Sequence, residues 1–257
     1  MNILVTGGAG YIGAHCCKEL AARGLRPVVF DSLVKGHREN VRWGEFYQGS
    51  TGNSGELADC LKRFRIDAVM HFAAFIEVGE SVADPAAYYL NNVVGSLKLL
   101  QAMVQVGIRH LVFSSSAAVY GSPLQVPIDE EHPRVPLSPY GWSKQMVEIM
   151  LADFGTAWGL RSMALRYFNA AGCDARGRAG ERHVPETHLI PLVLAEALRV
   201  KQGGDPAASA LNVFGAGLPT RDGSCVRDFI HVSDLCDAHL LAADDGEALF
   251  RRGRARR

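Results

Sequence analysis

No charge imbalance, no paired-cysteine spacing and no membrane-length apolar run mark these 257 residues. Lysine plus arginine number 27 and aspartate plus glutamate number 27, so the formal net charge is zero. A surface without a dominant sign has no field to draw in nucleic acid or an anionic membrane, and neither is expected as a partner. The six cysteines, at 16, 17, 60, 173, 225 and 236, include no C-x-x-C pair. Neither a disulfide framework nor a cysteine zinc site is expected, so no metal is expected, and reduced thiols fit a cytoplasmic protein. No apolar stretch approaches the roughly 20 residues that span a bilayer. Met1-Asn2-Ile3-Leu4-Val5 runs straight into a glycine turn, without the form of a secretory leader. Internal repeats and long low-complexity segments are absent as well.

What is present is a chain 48% hydrophobic, with a mean hydropathy of +0.03, enough for one large domain or two interleaved lobes. Short β-branched runs alternate with stretches of helical period. Ile3-Leu4-Val5 precedes a helix-like segment from Tyr11 to Arg23. Pro27 to Phe30, Ala68 to Phe72, His110 to Phe113 and Met163 to Arg166 read as further buried strands. Helical spacing recurs between Ala86 and Val106, from about Ser138 to Trp158, and from Leu189 to Lys201. Continuous apolar strands separated by helices predict a parallel sheet covered on both faces, the doubly wound α/β (Rossmann) class. After Gly172 the rhythm loosens: residues 174–187 suit a surface loop, as does the stretch from Gly203 to Ser209. Five of the last seven residues are arginine (251, 252, 254, 256 and 257), which predicts a solvated end.

Chemistry enters at Thr6-Gly7-Gly8-Ala9-Gly10-Tyr11-Ile12-Gly13. Gly8, Gly10 and Gly13 satisfy G-x-G-x-x-G; Gly7, Gly10 and Gly13 satisfy G-x-x-G-x-x-G. Glycine there allows a tight turn, close approach of backbone to a pyrophosphate, and close helix–strand packing. The helix end offers free N–H groups and partial positive charge to phosphates. Asp31, at the end of the second strand, is placed to accept from adenosine ribose hydroxyls and to repel a 2′-phosphate. NAD is therefore favoured over NADP.

Tyr140-Gly141-Trp142-Ser143-Lys144 supplies Tyr-x-x-x-Lys. Positions i and i+4 share a helix face, so phenol and ammonium can enter one pocket. A lysine cation and a positive nicotinamide would together favour the phenolate, a base for a sugar hydroxyl. Ser114-Ser115-Ser116 follows a strand's carboxyl end, where doubly wound sheets place ligands.

Taken in order, TGGAGYIG (6–13), HFAAFIEVGES (71–81), YYLNNVVGS (88–96), FSSSAAVYG (113–121), SPYGWSK (138–144), RYFNAAG (166–172) and VRDFIHVSDL (226–235) resemble the UDP-glucose 4-epimerase family of extended short-chain dehydrogenases/reductases. The resemblance runs from residue 1 to about 243. It implies Ser116, Tyr140 and Lys144 as the catalytic group. It implies NAD held by Gly7, Gly10, Tyr11, Ile12, Gly13, Asp31, Ser50, Phe72, Ala73, Ala74, Asn91, Ser114, Tyr140, Lys144 and Tyr167. A UDP-hexose substrate would meet Ser116, Tyr140, Asn169 and Arg227. The implied reaction interconverts UDP-glucose and UDP-galactose through a 4-keto sugar, with NAD retained throughout. The implied organisation is an NAD-binding Rossmann domain (1–172) and a smaller, incomplete nucleotide-sugar lobe (173–257), with residues of about 211–235 returning to the Rossmann sheet. A homodimer through helices near 86–106 and 141–157 is implied as well.

Departures sharpen the expectation. Ala117 and Ala118 stand where related dehydratases carry Asp-Glu; neither transfers a proton, so 4,6-dehydration is disfavoured. Ser50 replaces an aspartate facing the adenine, and Ile76 a lysine reaching the ribose. His188 replaces an asparagine and is read as structural. The chain leaves the family pattern after about Ala243, which predicts a shortened sugar lobe. The alternatives are an NAD-binding remnant, a 4-epimerase of another UDP-sugar, and a dehydrogenase that releases NADH.

Overall fold

The computed structural model describes residues 1–209, 211, 212, 215 and 217–244. The arginine-rich end, predicted to be a solvated tail, lies outside these residues. The first half alternates strand and helix: β1 (Asn2–Thr6), α1 (Tyr11–Ala22), β2 (Arg26–Asp31), β3 (Glu45–Gln48), α2 (Ser54–Arg63) and β4 (Ala68–His71). There follow α3 (Val78–Ala83), α4 (Pro85–Tyr88), α5 (Gly95–Val106), β5 (His110–Ser114), α6 (Pro139–Trp158) and β6 (Arg161–Leu165). Beyond come β7 (Asn169–Ala171), α7 (Leu189–Lys201), β8 (Phe229–His231) and α8 (Val232–Asp244).

Six strands form one parallel sheet in the order β3-β2-β1-β4-β5-β6. Alternation along each strand sends side chains to two different cores. Leu4, Val28, Phe30, Val69, Leu111 and Phe113 meet α2, α5 and α6 on one face. Ile3, Val5, Val29, Ala68, Met70 and Val112 meet α1 and α8 on the other. Full burial on both sides explains why these strands read as unbroken apolar runs. The order reverses between β1 and β4, which opens a crevice at their carboxyl ends.

β3 and α2 are among the elements that escape the sequence pattern. β3 is an exposed edge strand, Glu-Phe-Tyr-Gln, with no fully buried residue. α2 buries only Leu57, Cys60 and Leu61. Its start is nevertheless encoded: the Asn53 side chain accepts from the N–H of Gly55 and Glu56, an N-cap with glutamate at the third position.

Residues of about 211–235 were expected to return to the Rossmann sheet, and residues 213, 214 and 216 of that stretch lie outside the described ones. Instead β8 pairs with β7 in a separate two-stranded sheet, and α8 is the element that returns, packing on α1 and β5. β7 is diverted by local bonding, since the main-chain and side-chain N–H groups of Asn169 both donate to Asp228 O (3.2 and 2.8 Å). All six cysteines are free thiols, with Cys16 and Cys236 juxtaposed where α1 meets α8. Among the described residues no helix is long and apolar enough to cross a membrane.

Candidate active site

The glycine turn closes on itself. Gly7 has φ +71°, and a Cβ there would stand 2.6 Å from Ala73 N. A Cβ on Gly13 would stand 2.3 Å from Gly7 O. Gly10 begins α1 with no side-chain cap, so the first-turn N–H groups of Tyr11, Ile12 and Gly13 face the crevice as an anion cradle. The Tyr11 side chain turns away, donating to Gly172 O at 2.6 Å, and Ile12 packs beside Cys236 and Val232. For these two residues only the backbone is left free toward the crevice.

Asp31 ends β2 across this turn. Its Oδ2 accepts from Ala9 N (3.0 Å) and its Oδ1 from Leu33 N (2.8 Å). Burial raises its pKa while those two N–H groups oppose the rise. Each oxygen retains lone-pair capacity for a ribose hydroxyl. Phe72, Ala73 and Ala74 line the chain leaving β4, half-buried. Ser50 is exposed, its Oγ taken by Gly52 N at 3.1 Å. These features, an uncapped helix start and an available carboxylate, fit a dinucleotide.

At the next crossover β5 delivers Ser114, and α6 delivers Tyr140 and Lys144 one turn apart. Lys144 is 3% exposed. Its Nζ donates to Ser114 O at 2.7 Å and lies 5.8 Å from the Tyr140 ring centre. Ser114 Oγ and Tyr167 Oη are 2.5 Å apart. Ser116 caps a short turn at 117–119 by accepting from Ala118 N, and its hydroxyl stands beside Tyr140. Ser114, Ser116, Tyr140, Lys144 and Tyr167 thus lie together: spacing alone had joined Tyr140 to Lys144, and the resemblance had implied the rest. Asn91 turns aside to donate to Asn92 Oδ1 (2.9 Å). Asn169 stays with Asp228, next to Arg227, which is exposed and reaches only Val226 O at 3.0 Å.

Burial raises the Tyr140 pKa above its ordinary value, and the Ser116 hydroxyl only partly offsets this. Burial lowers Lys144 to about 7, with Glu148 pulling it back up. Lys144 therefore does not by itself generate a phenolate. The chain holds the proton on tyrosine until a further positive charge arrives. Between pH 7 and the ordinary lysine value of 10.5 the unfolded chain carries a proton at Lys144 that the folded chain lacks. Stability tied to this group accordingly rises with pH across that window. Calorimetry without added cofactor is expected to show Lys144→Met more stable than wild type below pH 7, the gap closing toward pH 10.5. A constant gap would contradict the buried-charge account.

Supporting groups lay beyond sequence reasoning. Residues 89–94 form a π-helical turn that aims Asn92 inward, where it clasps Phe75 N and O (2.8 and 3.0 Å) and donates to Ser143 Oγ (3.0 Å). His71 bridges Thr6 Oγ1 (2.6 Å) and Ser96 Oγ (2.8 Å), and burial lowers its pKa to about 3, keeping it neutral. Glu148, one turn past Lys144, takes hydrogen bonds from Ser115 and Arg166.

Comparison with known proteins agrees with this geometry. Residues 3–252 match the family model described as the NAD dependent epimerase/dehydratase family. The chain is 54% identical over 243 residues to a UDP-glucose 4-epimerase of Rhizobium meliloti, covering 95% of this chain and 72% of that protein. It is similar to the UDP-glucose 4-epimerase of Brucella ovis in complex with NAD, with a TM-score of 0.88 and 48% identity over 95% of this chain and 73% of that one. A Stenotrophomonas maltophila UDP-glucose-4-epimerase with bound NAD and formylated UDP-arabinopyranose gives a TM-score of 0.86 at 40% identity, over 96% and 76%.

Proposed function

The chain belongs to the NAD dependent epimerase/dehydratase family, and from that premise we propose that it interconverts UDP-glucose and UDP-galactose with retained NAD. The observation that carries the reading is the convergence of Ser116, Tyr140 and Lys144 beside an uncapped glycine turn. The turn holds the pyrophosphate, Asp31 the ribose, and Ser114 and Tyr167 the nicotinamide end. NAD held there supplies a hydride acceptor that can return what it takes, so the sugar leaves with its oxidation state unchanged.

The chain's own residues handle the proton. With a positive nicotinamide beside it, Tyr140 would release its own proton to solvent and stand as the phenolate; its Oη then takes the proton of the sugar 4-hydroxyl, Ser116 Oγ orients that hydroxyl, and Lys144 adds positive charge beneath the ring. Tyr140 then keeps the proton while C4 is a ketone and gives it back to the other face's alkoxide. Arg227 and Asn169 supply the donors for a nucleotide-sugar diphosphate. Ala117 and Ala118, beside Ser116, carry no group that could protonate a leaving hydroxyl, which argues against elimination of water. We further read the protein as a cytoplasmic homodimer: Leu90, Val94, Trp142, Met146 and Ile149 leave an apolar, exposed face on the paired helical segments.

Purified protein, with no NAD added, is expected to convert UDP-galactose to UDP-glucose. Folded protein that releases NAD on denaturation yet makes no product would overturn the reading. Free NADH accumulating during turnover would point instead to a dehydrogenase.

A further inference from the structure

The geometry points to a binding site for one divalent transition-metal ion of the zinc class, formed by Glu181, His183, Glu186 and His188 on the segment leading into α7. Sequence reasoning looked for metal only among the cysteines and read His188 as structural. In space, one ligand atom from each of these four side chains lies within 4.8 Å of all the others. The four histidine–carboxylate separations are closer still: His183 Nδ1 stands 3.6 Å from oxygens of both Glu181 and Glu186, and His188 Nδ1 stands 3.3 and 3.1 Å from them. A tetrahedral ion with ligands at about 2.0–2.1 Å separates neighbouring ligand atoms by about 3.3 Å. The four histidine–carboxylate separations lie close to that edge, with Glu186 facing His183 through Oε2 and His188 through Oε1, and all four groups stay within 4.8 Å of one another.

Three further features favour an ion over a simple histidine–carboxylate cluster. His183 Nδ1 is buried and has no hydrogen-bond partner, although it points between two carboxylates. Such a nitrogen costs free energy until something takes its lone pair or proton. The Glu186 carboxylate is held by three backbone N–H groups, of His183 (3.3 Å), Thr187 (2.9 Å) and His188 (2.9 Å). It is thereby oriented from behind as metal-ligating carboxylates are. Charges balance: two carboxylates meet a doubly positive ion, and neutral imidazoles complete the set. Mixed imidazole–carboxylate donors select zinc-like ions over magnesium or calcium, which prefer oxygen alone.

The ion would act as a staple. The same segment reaches the cofactor lobe through Thr187 Oγ1 to Glu77 (2.8 Å) and Arg182 to Glu39 (2.6 Å). Fixing residues 181–188 therefore fixes a strap across the crevice.

The test is a cobalt(II) titration of the full chain followed by its visible spectrum. One equivalent is expected to bind with d–d bands of tetrahedral intensity, to be displaced by zinc, and to raise the melting temperature. His183→Ala and His188→Ala, each checked for folding by circular dichroism, are expected to weaken binding by more than the about 10–100-fold that even supporting partners contribute. Cys173→Ser with Cys225→Ser, which removes the two exposed thiols, is expected to leave the bands in place. Absence of stoichiometric binding to the wild-type chain overturns the proposal. So does binding with cobalt–thiolate charge transfer that survives both histidine substitutions. Neither readout depends on epimerase activity.

Discussion

Tyr140→Phe is expected to lower kcat for UDP-galactose conversion by about 10³-fold, within the range that positioned acid–base groups contribute. The substitution removes one oxygen and leaves the ring packed beside Lys144. Folding and cofactor retention should therefore survive, and NAD released on denaturation should match wild type. The size of the loss follows from the surroundings. Tyr140 is half-buried, its hydroxyl meets Ser116, and desolvation raises its pKa in the chain without cofactor. The other groups of this cluster are engaged or too weakly acidic: Lys144 Nζ is tied to Ser114 O, Tyr167 Oη to Ser114 Oγ, and Ser116 is too weak an acid to replace a phenol. A variant retaining more than a tenth of wild-type kcat would remove Tyr140 from the proton-transfer role.

Glu148→Ala carries the largest expected effect on stability, a loss of about 3–5 kcal/mol, the cost of leaving one partner of a buried ion pair alone. The Glu148 side chain is 5% exposed and Arg166 only 18%. Glu148 Oε2 meets Arg166 Nη2 at 2.6 Å, Oε1 meets Arg166 Nε at 3.0 Å, and Ser115 Oγ donates to Oε1 at 2.5 Å. Burial alone would raise the glutamate's pKa, yet the bonds from Arg166 and Ser115 hold it below its ordinary value. Without the carboxylate, a guanidinium and a serine hydroxyl lose their partners together. Against a total stability of about 5–15 kcal/mol, the loss should lower the melting temperature on the order of 10 °C. Glu148→Met combined with Arg166→Met should recover much of it, because no charge is then stranded. Equal melting temperatures for wild type and Glu148→Ala would show that the network contributes nothing. The same pair matters at the site, since Ser115 sits between Ser114 and Ser116, and Glu148 is the charge that raises Lys144. Glu148→Gln, which keeps the shape, is expected to let Lys144 lose its proton at lower pH.

How much of this was legible in the chain differs by the range of the interaction. The parallel sheet, the turn at Gly7–Gly13, Asp31 at a strand end and Tyr140 with Lys144 on one helix face follow from residues within a few positions of one another. Strand alternation, helical period and the backbone freedom of glycine are local properties, so sequence alone determined them. β3 and α2 were lost because an edge strand and a helix burying three residues leave little apolar pattern. The rest was decided only by tertiary structure. Glu148 finds Arg166 eighteen residues away, Asn92 finds Ser143 fifty-one residues away, and Thr6 finds His71 across the sheet. The direction in which burial pushes Tyr140 and Lys144 in the chain without cofactor is encoded by no spacing. Glu181, His183, Glu186 and His188 sit within eight residues, yet their convergence depends on a loop whose path is set by contacts to Glu77 and Glu39 on the other lobe. Short-range geometry is written in the order of the residues. Solvent exclusion and long-range pairing exist only once the chain has closed around them.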